Sequence, residues 1–196
     1  MDVQHILEAM DGIALVLDHK LAVVAVGHSN WQRFWRDNGG VGEPDLIGEC
    51  ITDFFSEGEV RDLYRALFHD VLLGGRPWLH IDFRCDAPTK RRAMRLAVTR
   101  IASEPAGTRL LYQSVLLSED VRPALPLFAA STATHDAEAA VRICTICHKV
   151  KWPTATPTSP EWIEPQEYYL RGGAEVILLS HGFCPPCHAS LRRSRS

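Results

Sequence analysis

The passage Glu59-Val-Arg-Asp-Leu-Tyr-Arg-Ala-Leu-Phe-His-Asp-Val-Leu-Leu-Gly-Gly75, followed two residues later by Trp78-Leu-His-Ile-Asp-Phe-Arg-Cys85, changes periodicity partway. Val60, Leu63, Tyr64, Leu67, Phe68 and Val71 recur at the three-and-four spacing of one helical face, and Gly74-Gly75 stops the run. Leu79, Ile81, Phe83 and Cys85 then alternate with Trp78, His80, Asp82 and Arg84, the period of a strand with one buried face. A long amphipathic helix feeding directly into a half-buried strand predicts an α+β fold.

Working outward, more strands and helices join these two. Met94, Leu96 and Val98 alternate, and Leu110–Leu117 is nearly continuous apolar, so three strands follow the long helix. Upstream, Val3, Ile6, Leu7 and Met10 share a helical face, and Asp11-Gly12 ends it. Ile13–Leu17 and Leu21–Val26 read as a strand hairpin turning at Asp18-His-Lys20. Ser29 or Asn30 caps a short helix carrying Trp31, Phe34 and Trp35, which ends at Gly39-Gly40, and Thr52 is a candidate cap for Phe54-Phe55. The expectation is a five-stranded antiparallel sheet with flanking helices.

After residue 118 the composition shifts. Pro123, Pro126 and Ala129-Ala-Ser-Thr-Ala-Thr134 read as a linker, on which Leu125, Leu127 and Phe128 are apolar enough to dock. The remainder holds the pattern Cys144-Thr-Ile-Cys147, 36 residues, Cys184-Pro-Pro-Cys187. Two CxxC turns present four soft thiolates, the donor set a tetrahedral zinc prefers. Pro153, Pro157, Pro160 and Pro165 make the start of the intervening segment loop-like. Pro165–Leu170 suits a short helix and Glu175–Leu179 a strand.

Each CxxC is followed by a histidine, His148 or His188, and CxxCH is also the attachment signature of c-type haem. That alternative, a dihaem protein with His148 and His188 as axial ligands, needs an exported chain. Met1–Gly12 has neither a basic n-region nor a long apolar core. A thioredoxin-like dithiol should occur once, between a strand and a helix. Zinc held by Cys144, Cys147, Cys184 and Cys187 is therefore the preferred reading, with His181 or His188 as the alternative to one thiolate.

Charge and composition bound the function. The 196 residues are 46% hydrophobic and 23% charged with a net charge of −3, which is ordinary for a globular chain and no electrostatic footprint for nucleic acid. Residues 1–140 hold 14 Lys and Arg against 20 Asp and Glu, whereas 141–196 hold 7 against 4. No segment approaches the roughly 20 apolar residues of a membrane span. Cytoplasmic location and reduced thiols are the expectation. Phosphate-loop, nucleophile-elbow, kinase and HExxH strings are missing, so no enzyme is expected.

Residues 1–118 resemble a PAS domain in the order of hairpin, helical middle with Leu46-Ile-Gly48, long helix and three strands. Ile143–Val150, Trp162, Tyr168-Tyr169 and Leu179-Ser-His-Gly-Phe-Cys-Pro-Pro-Cys187 are similar to a zinc-ribbon-like tail found after PAS, GAF and receiver modules in bacterial signalling proteins. Arg84-Cys-Asp-Ala-Pro88 and Arg91-Arg-Ala-Met-Arg95 resemble small stand-alone PAS proteins with this tail. The resemblance implies a sensor domain over 1–118, a linker over 119–140 and a four-cysteine zinc-binding module over 141–196, in a signal-sensing or relay protein with an unspecified ligand. Cys50 and Cys85 stand in no flavin-type string and are expected to be ordinary small residues. His69 lies about 180° from Val60 on the long helix, so it should face solvent instead of ligating haem, and His80 lies on a polar strand face.

Partner surfaces follow. The 3–10 helix is a candidate for pairing two copies, and an exposed Trp78 beside His80 and Arg84 for a signalling partner. Lys90, Arg91, Arg92 and Arg95 suit a solvated hairpin tip or an acidic partner. Nucleic-acid binding through the basic C-terminal module, with its Leu191-Arg-Arg-Ser-Arg195 tail, is the less favoured alternative.

Overall fold

A computed structural model describes residues 2–42, 45–56, 58–101, 107–129, 139–153, 160–175 and 177–193. The expectations placed on 130–134, Pro157, Val176 and Arg195 lie outside the described residues. Contacts divide the chain into two compact units: Met1–Asp82 with Met94–Leu117, and Phe83–Ala93 with Ser118–Ser196.

The first unit is built from helix α1 (Val3–Ala9), strands β1 (Ile13–Leu17) and β2 (Val23–Val26), and helices α2 (His28–Asp37) and α3 (Glu59–Leu72). Strands β3 (Trp78–Arg84), β4 (Lys90–Ile101) and β5 (Arg109–Val121) begin or end in it. The sheet order is β2-β1-β5-β4-β3, and β1 pairs antiparallel with both β2 and β5, Leu15 lying between Val26 and Tyr112. The α+β reading and the five-stranded antiparallel sheet therefore hold.

On one side the apolar stripe of α3 is buried through Val60, Tyr64, Leu67, Phe68 and Val71. An aromatic series runs Phe55, Tyr64, Phe68, Tyr112 with ring centroids 4.4, 6.0 and 6.2 Å apart. On another, Leu7 of α1 packs with Ala14 and Val16 of β1. Removing the wholly buried Phe68 ring leaves a cavity among the edge-on rings of Phe55, Tyr64 and Tyr112. Phe68→Ala is expected to cost about 3–5 kcal/mol, read as a shifted urea midpoint with unchanged slope.

Several details depart from the sequence reading. Thr52 is not a cap but lies inside a 3-10 turn (Ile51–Phe54) whose N-cap is Cys50. β2 begins at Val23 instead of Leu21, because Leu21 has φ +65° in a turn whose Asp18 carboxylate accepts the Lys20 and Ala22 amides. α2 has Gly27 as its N-cap, not Ser29 or Asn30. Its first amides, His28 and Ser29, donate to the carboxylate of Glu8 at 2.6 and 3.2 Å, a cap supplied from α1.

The second unit holds its own sheet, ordered β8-β7-β6-β9 from β6 (Ala139–Cys144), β7 (Val150–Trp152), β8 (Glu161–Ile163) and β9 (Ile177–Gly182). β6 pairs antiparallel with β7 and parallel with β9. Helices α4 (Pro165–Leu170) and α5 (Pro185–Arg193) complete it. Its core is Leu127, Val141, Ile143, Val150, Ile163, Tyr168 and Ile177. Leu127 belongs to a 3-10 turn (Pro126–Phe128), so the apolar residues of the expected linker do dock.

Candidate metal centre

The parallel pairing of β6 and β9 sets the site. Their register runs from Ala139 opposite Ile177 to Cys144 opposite Gly182, so both strands end at the same level. Each strand then delivers a CxxC turn. In the first, the Cys144 amide donates to the Lys149 carbonyl at 2.8 Å and the His148 amide donates to the Cys144 carbonyl at 2.9 Å. In the second, Cys184 precedes α5 and its carbonyl accepts the His188 amide at 3.0 Å. A bond from the Thr145 amide to the Gly182 carbonyl, 2.8 Å, ties the turns together.

The four sulfurs of Cys144, Cys147, Cys184 and Cys187 lie within 4.8 Å of one another, and Cys147 Sγ stands 3.7 Å from Cys184 Sγ. A tetrahedron of thiolates about 2.3 Å from a central zinc has edges of about 3.8 Å. The arrangement can hold one metal ion, and all four residues singled out from the spacing are in it. Cys144 and Cys184 are buried and Cys147 and Cys187 are half-buried.

The electrostatics call for a cation. The Cys144 thiol is drawn down to about 4, first by a hydrogen bond from the Cys147 thiol, with burial opposing and the Cys147, Cys184 and Ile146 backbone groups assisting. Cys147 is pushed up by that same bond and by burial, and Cys187 is pushed up to about 12 by burial and then its sulfur neighbours. Four sulfurs this close cannot all ionise alone. A divalent ion at their centre reverses that, because coordination deprotonates a thiol.

Around the first turn lies a set of side chains that the sequence reading missed. The Arg84 amide donates to the Ile146 carbonyl at 2.8 Å, and its Nη1 donates to the Cys147 carbonyl at 3.1 Å and to Glu164 at 3.0 Å. Asp86, whose side chain is 0% exposed, pairs with Arg84 and with Arg122 Nη1 at 3.0 Å, and its Oδ2 lies 3.6 Å from His148 Nδ1. Burial would raise the Asp86 carboxyl, but the nearby His148 and the hydrogen bond and charge of Arg84 outweigh it and hold the group well below the usual carboxylate range. Arg122 lies 4.6 Å over the Phe128 ring, which stacks on His148 at 5.3 Å. No spacing in the sequence announces this set; its members are up to 80 residues apart.

The remaining candidates fall elsewhere. His148 stacks on Phe128 and His188 on Phe183. Burial lowers the His181 pKa. Cys50 Sγ sits 3.2 Å from the Thr52 hydroxyl, and burial raises the Cys85 thiol. His69 is in the last turn of α3, partly exposed. Trp78 is 53% exposed and stacks on His80 at 4.5 Å. The basic cluster is largely answered within the chain: Lys90 and Arg92 share Glu119, both at 2.8 Å, and Arg95 pairs with Asp82 at 2.6 Å. Among the described residues no helix is long and apolar enough to cross a membrane. The sequence matches no protein-family model and no curated protein.

Proposed function

We propose that the chain is a non-enzymatic sensing and relay protein. A PAS-like unit takes up a small ligand or a protein partner, and a zinc-stabilised C-terminal unit supplies an interaction surface. The observation that carries this reading is the convergence of four cysteine sulfurs on one centre. Zinc fits four thiolates in a closed shell that leaves no open position for chemistry, the signature of a structural site. Two covalent haems would need each CxxC on its own porphyrin, whereas Cys147 and Cys184, from different pairs, are 3.7 Å apart.

The PAS reading draws support from the succession of hairpin, helices, long α3 and three strands. A signalling partner and a second copy are supported by exposed apolar groups, Trp78 on β3 and Val3 and Ile6 on α1. Cytoplasmic location goes with this reading, since the four thiols must stay reduced to bind metal.

Elemental analysis with a visible spectrum tests the proposal. One zinc per chain and no Soret band is the expected result. A red protein, or one without bound metal, would overturn it.

A second reading has one specific observation behind it. A cleft of about 460 Å³ on the C-terminal sheet is lined by Arg142, Lys151, Trp152, Pro153 and Ser180, setting two cations and a hydroxyl beside an aromatic ring. Such a surface suits a nucleic-acid backbone and base. Binding to single-stranded oligonucleotides that falls steeply with salt would favour this reading over protein-only partnership.

A further inference from the structure

We propose that the Phe83–Ala93 hairpin is a working part of the metal centre. In this proposal Arg84 and Asp86 are positioning residues for the Cys144–Cys147 turn, and metal loading and hairpin order are linked. The proposal rests on the four-sulfur metal reading and adds to it an element that lies far upstream of the cysteines in sequence.

His148 is the pivot. It follows Cys147 directly and has φ +59°, a left-handed conformation uncommon for a residue with a Cβ and one that histidine adopts more readily than most. The backbone there matters to the metal, because the His148 amide donates to the Cys144 carbonyl at 2.9 Å and the carbonyl of the next residue, Lys149, accepts the Cys144 amide at 2.8 Å. Turning the peptides on either side of His148 would break both bonds and move Cys147 relative to Cys144.

The hairpin holds the backbone before this residue and lies against its side chain. Arg84 takes the preceding carbonyl, that of Cys147, with its guanidinium and takes the Ile146 carbonyl with its own amide. The Asp86 carboxylate lies 3.6 Å from the imidazole Nδ1, and Phe128 stacks on the ring. The carboxylate also fixes the Arg84 guanidinium and accepts the Arg92 amide at 3.1 Å, closing the hairpin on itself. Arg122, in turn, donates to Asp86 and to the Ala87 carbonyl. Groups outside the ligand sphere that orient ligands in this way typically change metal affinity about 10–100-fold when removed.

Linkage makes the effect mutual: whatever the hairpin contributes to metal affinity, the metal contributes to hairpin order. The contacts also assign separate parts to the two residues. Arg84 acts on the backbone of the turn and Asp86 on the side chain at its left-handed residue. Arg84→Lys keeps the charge but loses the flat fork that reaches Asp86, Glu164 and the Cys147 carbonyl together.

The full-length chain is tested with Co²⁺ as the probe. Unmodified protein is expected to bind one Co²⁺ with the intense charge-transfer absorption of a tetrathiolate site. Arg84→Lys should weaken Co²⁺ binding about 10–100-fold in competition with a chelator, and Asp86→Ala, which also strips a buried counter-charge from the same unit, about 100-fold or more. Phe68→Ala, which destabilises the other unit, should leave that affinity unchanged. In unmodified protein, stripping the metal should speed hydrogen exchange at the Arg84 and Arg92 amides, a measurement that needs no variant to fold. Tetrathiolate spectra with unaltered affinities in both variants, or equal hairpin exchange with and without metal, overturn the proposal while leaving the metal site intact. An unmodified chain that shows no cobalt spectrum overturns the metal reading itself, before any variant is made.

Discussion

Cys184→Ser is expected to abolish stoichiometric metal binding and to unfold the Ser118–Ser196 part of the chain. Cys184 is 3% exposed and forms the sulfur link between the two turns. A serine hydroxyl does not ionise at neutral pH and is a poor ligand for a soft site. Structural zinc contributes on the order of 10 kcal/mol to small metal-stabilised folds. The cluster it supports has seven buried residues, a core too small to stand on hydrophobic burial alone. Metal content should fall from one ion per chain to none. The near-ultraviolet dichroism of Trp152 and Trp162 should collapse, while the separately built first unit keeps its urea midpoint. A variant that keeps its metal and its tryptophan signal would remove the basis for a four-sulfur site.

Asp86→Ala is the second large effect, an expected loss of about 3–5 kcal/mol from the second unit. The carboxylate is wholly enclosed, and its partners Arg84 and Arg122 are 10% and 6% exposed. Deleting the anion takes the carboxylate from Arg122 and leaves Arg84 with Glu164 alone, which costs more than the pairs are worth. Because the folded carboxyl lies below the unfolded value of about 3.9, its contribution is complete above that pH and fades as pH falls toward the folded value. The gap between wild type and variant in urea should therefore be widest near neutrality and narrow in acid. A gap that stayed constant into strong acid would show that the deletion acts through lost packing instead of lost charge.

The elements that were legible in the sequence share one property: each carries its own period over enough residues. The stripe of α3 and the alternation of β3 and β4 needed no knowledge of their neighbours, and the cysteine spacing named its own chemistry. What was illegible is what depends on distant partners. β7 and β8 are three residues each, too short to show a period of two, and they exist because Val150 and Ile163 complete a core with Val141 and Tyr168. The cap of α2 comes from Glu8, 20 residues back. Nothing in the residues around Asp86 names its partners, and only the fold brings Arg122 and His148 to it.

The discontinuity of the second unit has a consequence for biosynthesis. Phe83–Ala93 leaves the ribosome well before Cys184 and Cys187. Domains generally fold as they emerge, earliest segments first. Here the strands flanking the hairpin can pair early, whereas its tip must wait for Arg122, then His148, and finally for the C-terminal residues that close the sulfur cage. A nascent chain halted before Arg122 and His148 carries an aspartate still lacking the groups that enclose it, so quality-control proteases would meet this protein at its middle as well as at its unfinished end.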